Sequence, residues 1–78
     1  MEICLNNAIL NKVYYVKKIN TKDNLKERLQ DLGLTLNTEI KMLYKSPFND
    51  PCSYLIKNSV IALRNSDAKN IIVGDKNE

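Results

Sequence analysis

Lys12-Val13-Tyr14-Tyr15-Val16-Lys17-Lys18-Ile19, and the change of period just after it, decide how this chain folds. The eight residues are rich in β-branched and aromatic side chains, which suit a pleated, half-buried surface, and predict a strand. Strict alternation puts Val13 and Ile19 on one face and Val16 on the other. Either a bulge or a strand buried on both sides accounts for that conflict. Leu25, Leu29 and Leu32 then recur at i, i+4 and i+7, the spacing that lines one side of a helix. Thr21 is placed to accept from the free backbone donors at the helix start. Gly33 can take the left-handed conformation that ends a helix without steric cost. A helix from Lys22 to Leu32 is expected.

Outward from this pair, Glu39-Ile40-Lys41-Met42-Leu43-Tyr44 predicts a second strand with Ile40, Met42 and Tyr44 on one face. Ser46-Pro47-Phe48-Asn49-Asp50-Pro51 reads as a rigid loop, because each proline fixes its own φ and lacks a donor. Asp50 is expected to serve that turn by accepting from nearby backbone donors. Ser53 to Lys57 and Val60 to Arg64 predict short strands joined by a tight Asn58-Ser59 turn, with Asn58 tolerating positive φ. Ser66 to Lys69 suggests one helical turn, and Ile71 to Val73 a last strand. Five short strands and one inserted helix predict a mainly β fold, a small five-stranded, strongly bent barrel whose closure removes exposed edges. A single domain over residues 1–73 is expected, with 74–78 as a frayed polar tail.

Composition excludes several function classes. The chain has 78 residues, 44 % apolar and 27 % charged, and a net charge of +3. That balance is globular, and too mildly basic to argue for nucleic acid. Its longest apolar run, Val60 to Leu63, falls far short of the roughly 20 residues that cross a bilayer. The start, Met1-Glu2-Ile3-Cys4-Leu5-Asn6, lacks the basic leader and apolar stretch of a secretory signal, so a cytoplasmic location is expected. Cys4 and Cys52 form no CxxC pair and read as free thiols in a reducing compartment, Cys52 as a small apolar filler.

Reactive groups are scarce. There is no histidine, so the usual base near neutral pH is missing and Cys52 has no imidazole to activate it. Asp23, Glu27 and Asp31 follow one another at four-residue spacing, a solvated helix face rather than an acid/base pair. Two thiols 48 positions apart do not make a zinc site. With only Gly33 and Gly74, no glycine-rich phosphate cradle exists. Tyr14, Tyr15, Lys17 and Lys18 faintly resemble a stacking platform for single-stranded nucleic acid, but one core tyrosine and solvated lysines explain them as well. No enzyme activity, cofactor or metal site is expected.

What remains is a surface for protein. Leu29, Leu32 and Leu34 crowd one helix end, and Phe48 stands at the tip of the proline-braced loop. An apolar side chain held in a stiff frame loses little entropy on binding. Burial suits Leu29 and Leu32 better; for Leu34 and Phe48 the core and contact readings both stand.

In order along the chain come Leu29-Gln30-Asp31-Leu32-Gly33-Leu34, Glu39-Ile40, Ser46-Pro47-Phe48-Asn49-Asp50-Pro51, Ala62-Leu63-Arg64, Asp67-Ala68, Ile71 and Val73. This set resembles the ferrous iron transport protein A (FeoA) family. That family's pattern is a leucine-glycine-leucine turn, a proline-phenylalanine-glycine-aspartate-proline loop and an alanine-leucine-arginine strand. The resemblance spans Leu10 to Val73. It implies an SH3-like barrel with an inserted helix and a small accessory of FeoB, the membrane ferrous iron permease that carries a cytosolic G-protein domain. Its motif matches Leu29, Leu32-Gly33-Leu34, Pro47, Phe48, Asp50, Pro51 and Arg64. Leu29, Leu32, Leu34 and Phe48 stand as the partner-contact candidates, and Gly33, Asn37, Pro47, Asp50, Pro51 and Asn58 as turn-forming positions. The family association extends to transition metal ion binding, although this chain offers no evident ligands.

Asn11, Asn37, Asn49 and Asn58 stand where the family often has glycine, and Leu36 where it often has proline. Asparagine visits left-handed geometry at modest cost, so the turns should survive. The expected function is therefore an accessory or regulatory role in ferrous iron transport through protein–protein interaction. The alternative is a sensor like the C-terminal SH3-like domain of iron-dependent repressors, which are joined to a DNA-reading segment for which this chain has no room. A barrel with apolar turns is also compatible with self-association.

Overall fold

The computed structural model describes residues 1–48 and 50–76. Strands β1 (Glu2–Cys4), β2 (Val13–Ile19), β3 (Glu39–Lys45), β4 (Cys52–Ile56), β5 (Ser59–Leu63) and β6 (Ile71–Gly74) alternate with helices α1 (Asp23–Asp31) and α2 (Asn65–Ala68). A single 3₁₀ turn, Leu5–Asn7, follows β1. All strand pairs are antiparallel, in the order β1-β6-β2-β3-β4-β5.

Two expectations need correction. The strands number six rather than five among the described residues, because the three-residue β1 is too short to show a period. The sheet is also not closed: β1 and β5 are its two edges and do not pair with each other. Curvature comes from irregularities inside the sheet instead of closure. On β2, Val16 pairs with Val73 and Lys18 with Ile72, so Lys17 is an extra residue. On β3, Met42 pairs with Tyr54 and Tyr44 with Ser53, so Leu43 is extra. Each bulge bends its strand and increases the local twist.

The bulges also explain where alternation misleads. Tyr14 and Val16 are buried, and the extra residue at Lys17 restores Ile19 to the core side, leaving Val13 outside. The same slip at Leu43 turns Tyr44 out to solvent, away from the face of Ile40 and Met42. On β4, Cys52, Tyr54 and Ile56 alternate inward without interruption. One core results, in which Tyr54, Leu5, Leu29, Leu34, Met42 and Ile71 are among the largest fully buried side chains.

The helix ends differ from each other. At the start, Lys22 occupies the capping position without a side-chain bond, and Thr21, the expected cap, has its hydroxyl buried with no partner. At the end, the Gly33 amide donates to the Gln30 carbonyl (2.9 Å) and the Leu34 amide to that of Leu29 (2.8 Å), with Gly33 at φ +99°. These two bonds are the Schellman pattern, which folds the chain back over the last turn. Asn11 and Asn37 take positive φ as expected, at 64° and 67°. In the β4–β5 turn the left-handed residue is Lys57 (φ 53°), not Asn58, because Ile56 pairs with Ser59 and Lys57-Asn58 forms the turn itself. Asn49 lies outside the described residues. Gly74 is not frayed: it is buried in β6, opposite Glu2 and Tyr15.

Candidate protein-docking site

The four apolar candidates separate by burial. Leu29 and Leu34 belong to the core, with Leu34 0 % exposed, so neither offers a contact surface as the chain stands. The reason is the helix-end turn: the Schellman pattern brings the residue after the glycine back towards the one five positions earlier, and here both are leucine. Leu32, at the cap position, is 42 % exposed, and Phe48 is 89 % exposed.

Phe48 sits on a loop whose far end is tied down. The Asp50 amide donates to Ser46 Oγ (2.6 Å), and Asp50 Oδ1 accepts from the Asn65 amide (3.0 Å). Asp50 thus bonds a backbone donor, but one fifteen residues away at the start of α2 rather than inside its own turn. Next to it, the Cys52 thiol donates to Asn65 Oδ1 at 4.0 Å, so the loop, β4 and α2 share one anchor.

Between α1 and β5 lies a groove of about 340 Å³, walled by Leu25 and Arg28 on the helix, Leu32 at its cap, and Ile61, Ala62 and Arg64 on and after the strand. Among the described residues neither guanidinium has an ion pair or a hydrogen bond, while Asp67 is the groove's acidic neighbour. Phe48 is not part of its wall. Sequence reasoning favoured burial for Leu32, which the cap position instead leaves partly exposed in this wall, gave Arg28 no role and took Arg64 only as part of a motif. The signal was the open edge of β5, which a barrel reading hides.

Other candidate chemistry does not assemble. Tyr14 is core, its hydroxyl accepting from the Ile9 amide (3.2 Å), with the Lys12 ammonium 5.3 Å from the ring centre. Asp23, Glu27 and Asp31 are all exposed. Neither Cys4 nor Cys52 is in a disulfide among the described residues. Among the described residues, no three of histidine, cysteine, aspartate or glutamate gather closely enough to hold a metal ion. Among the described residues, no helix is long and apolar enough to cross a membrane. Burial, together with the neighbouring Cys52 thiol, pushes the Tyr54 phenol well above its ordinary pKa.

The sequence model of the FeoA domain matches residues 3–74. The chain belongs to the FeoA family. That family's role is in ferrous iron transport, and its fold is SH3-like. The FeoA protein of Chlorobium tepidum superposes with a TM-score of 0.88 at 24 % identity, over 92 % of this chain and 69 % of that one. The zinc complex of Stenotrophomonas maltophilia FeoA, described as an SH3-domain protein and proposed ferrous iron transport activating factor, gives 0.77 at 27 % identity, over 94 % and 88 %. A manganese-dependent transcriptional repressor gives 0.82 at 18 % identity, over 94 % of this chain but 41 % of the repressor, a likeness of fold alone. Among curated protein sequences, none matches this chain.

Proposed function

We propose that this FeoA-family chain is a cytoplasmic, non-enzymatic accessory of ferrous iron transport that works by docking onto a FeoB-type permease. Membership of the family over residues 3–74 carries the reading. The disposition of side chains supports it: apolar groups are held on stiff frames at the surface, at Leu32 and Phe48, while reactive groups are scattered. The contact surface is assigned to Leu32 and the Phe48 loop. An aromatic on an anchored loop loses less conformational freedom on binding than one on a free segment.

Capture of the permease's cytosolic portion by the purified chain tests this. Leu32→Asp and Phe48→Asp should each weaken capture without unfolding the protein, since both side chains are exposed. Unchanged capture by both folded variants would reject the surface, and no capture by the unaltered chain would reject the role. The sensor alternative has only the fold likeness to the repressor behind it; sequence-specific DNA regulation through a fused reader would be its mark.

A further inference from the structure

The groove between α1 and β5 has one wall that is a sheet edge. Ile56 and Ser59 close a two-residue turn, and such a closing pair exchanges its hydrogen bonds across the hairpin. Counting along β5, Ser59, Ile61 and Leu63 direct their backbone groups at β4, while Val60 and Ala62 direct theirs away from it. Among the described residues these outward amides and carbonyls have no backbone partner. The strand itself, Ser59-Val60-Ile61-Ala62-Leu63, contains no charge, proline or glycine. Charge and proline are among the devices by which exposed edges are usually kept from pairing.

Charge then selects what can pair. Arg28 on α1 and Arg64 just after β5 face the same groove, with Asp67 as the only acidic group in its wall among the described residues. Both guanidinium groups are without partners among the described residues. A guanidinium favours carboxylates, which it can bind through two parallel hydrogen bonds. A second copy of this chain would bring the same basic ends to the edge, on a protein already at +3.

We infer that β5 receives an extended, acidic segment of a partner protein as a seventh strand, bonded to the backbone of Val60 and Ala62 and held by Arg28 and Arg64. Main-chain bonds supply affinity in this mode, and flanking side chains supply selectivity. The inference deepens the docking role proposed above by naming the kind of segment this groove takes.

The test uses the full chain and a capped heptapeptide alternating valine with glutamate, followed by amide NMR shifts and hydrogen exchange. The peptide should shift and protect the Val60 and Ala62 amides. Its lysine counterpart, and the Arg28→Glu/Arg64→Glu variant with the acidic peptide, should bind at least about tenfold more weakly. Ala62→Pro removes an outward donor that the internal ladder does not use, so it should keep the fold and abolish binding. Absence of protection at millimolar peptide, equal binding of the lysine peptide, or protection that rises with protein concentration alone would each overturn the inference, the last by showing a second copy on the edge. Failure to capture the permease while the acidic peptide still binds would sink the transport role and leave this one standing. Capture that survives Ala62→Pro would do the reverse.

Discussion

The amide of Leu34 reaches back across Gly33 to the carbonyl of Leu29 at 2.8 Å, joining two leucines that both end in the core. That single bond converts a motif that reads as a surface feature into a packing device. It fixes where α1 stops and where the chain to β3 begins. The loop that follows is held by Thr38, whose hydroxyl accepts from the Thr35 amide (3.0 Å) and donates to the Gly33 carbonyl (3.2 Å).

Gly33→Ala should therefore destabilise the protein by about 1–2 kcal/mol, because a side chain at φ +99° is strained. The new Cβ would also stand 3.1 Å from Lys57 Cδ, though that flexible stem can move aside. Urea denaturation gives the change, and a loss under 0.3 kcal/mol would contradict the role assigned to this turn.

Leu34→Ala and Phe48→Ala should part company. The first empties a fully buried site and should cost about 2–5 kcal/mol. The second removes an exposed ring and should stay within about 0.5 kcal/mol of the parent. Paired thermal melts decide between this and a reading in which both leucine and phenylalanine lie on the surface.

Asp50→Ala deletes the acceptor for the Asn65 amide and unties the proline loop from α2. A cost of about 0.5–1.5 kcal/mol is expected, the usual net worth of one such bond. Faster hydrogen exchange at the Asn65 amide should accompany it; an unaltered rate would show that the bond contributes nothing in solution.

Tyr54 carries a buried hydroxyl with only the Cys52 thiol, a weak hydrogen-bonding group, beside it, so Tyr54→Phe should be neutral or mildly stabilising. Its phenol has a folded-state pKa raised above the ordinary 10.0, first by burial and then by Cys52. The unfolded state therefore loses this proton first. The linked stability is intact below about pH 10 and falls as the pH rises beyond it. Denaturation midpoints measured between pH 8 and 11 should show a decline that Tyr54→Phe reduces.

Much of the fold is legible in the residues. The five strands expected from β2 onward all form, within a residue or two of their anticipated ends, and so do α1 and the single turn of α2. What period-2 counting could not supply was the parity change at Lys17 and Leu43, since a bulge leaves no fixed signature when the extra residue is a lysine or leucine. Edge pairing was equally hidden: Glu2-Ile3-Cys4 becomes a strand only because β6 lies beside it. For the site, the residues left Phe48 open between core and contact, and it is exposed. Leu34 did not declare itself, because only the hydrogen bonding around Gly33 tells a leucine on the turn from one beneath it.

The place of β6 has a consequence for biosynthesis. Residues 71–74 form an inner strand, wedged between β1 and β2. A nascent chain that has emerged only as far as β5 holds β2 with one flank bare and leaves β1 without any neighbour. The ribosome must deliver Gly74 before β1 gains a neighbour and β2 its second flank, so this sheet should close up in one step once β6 has emerged.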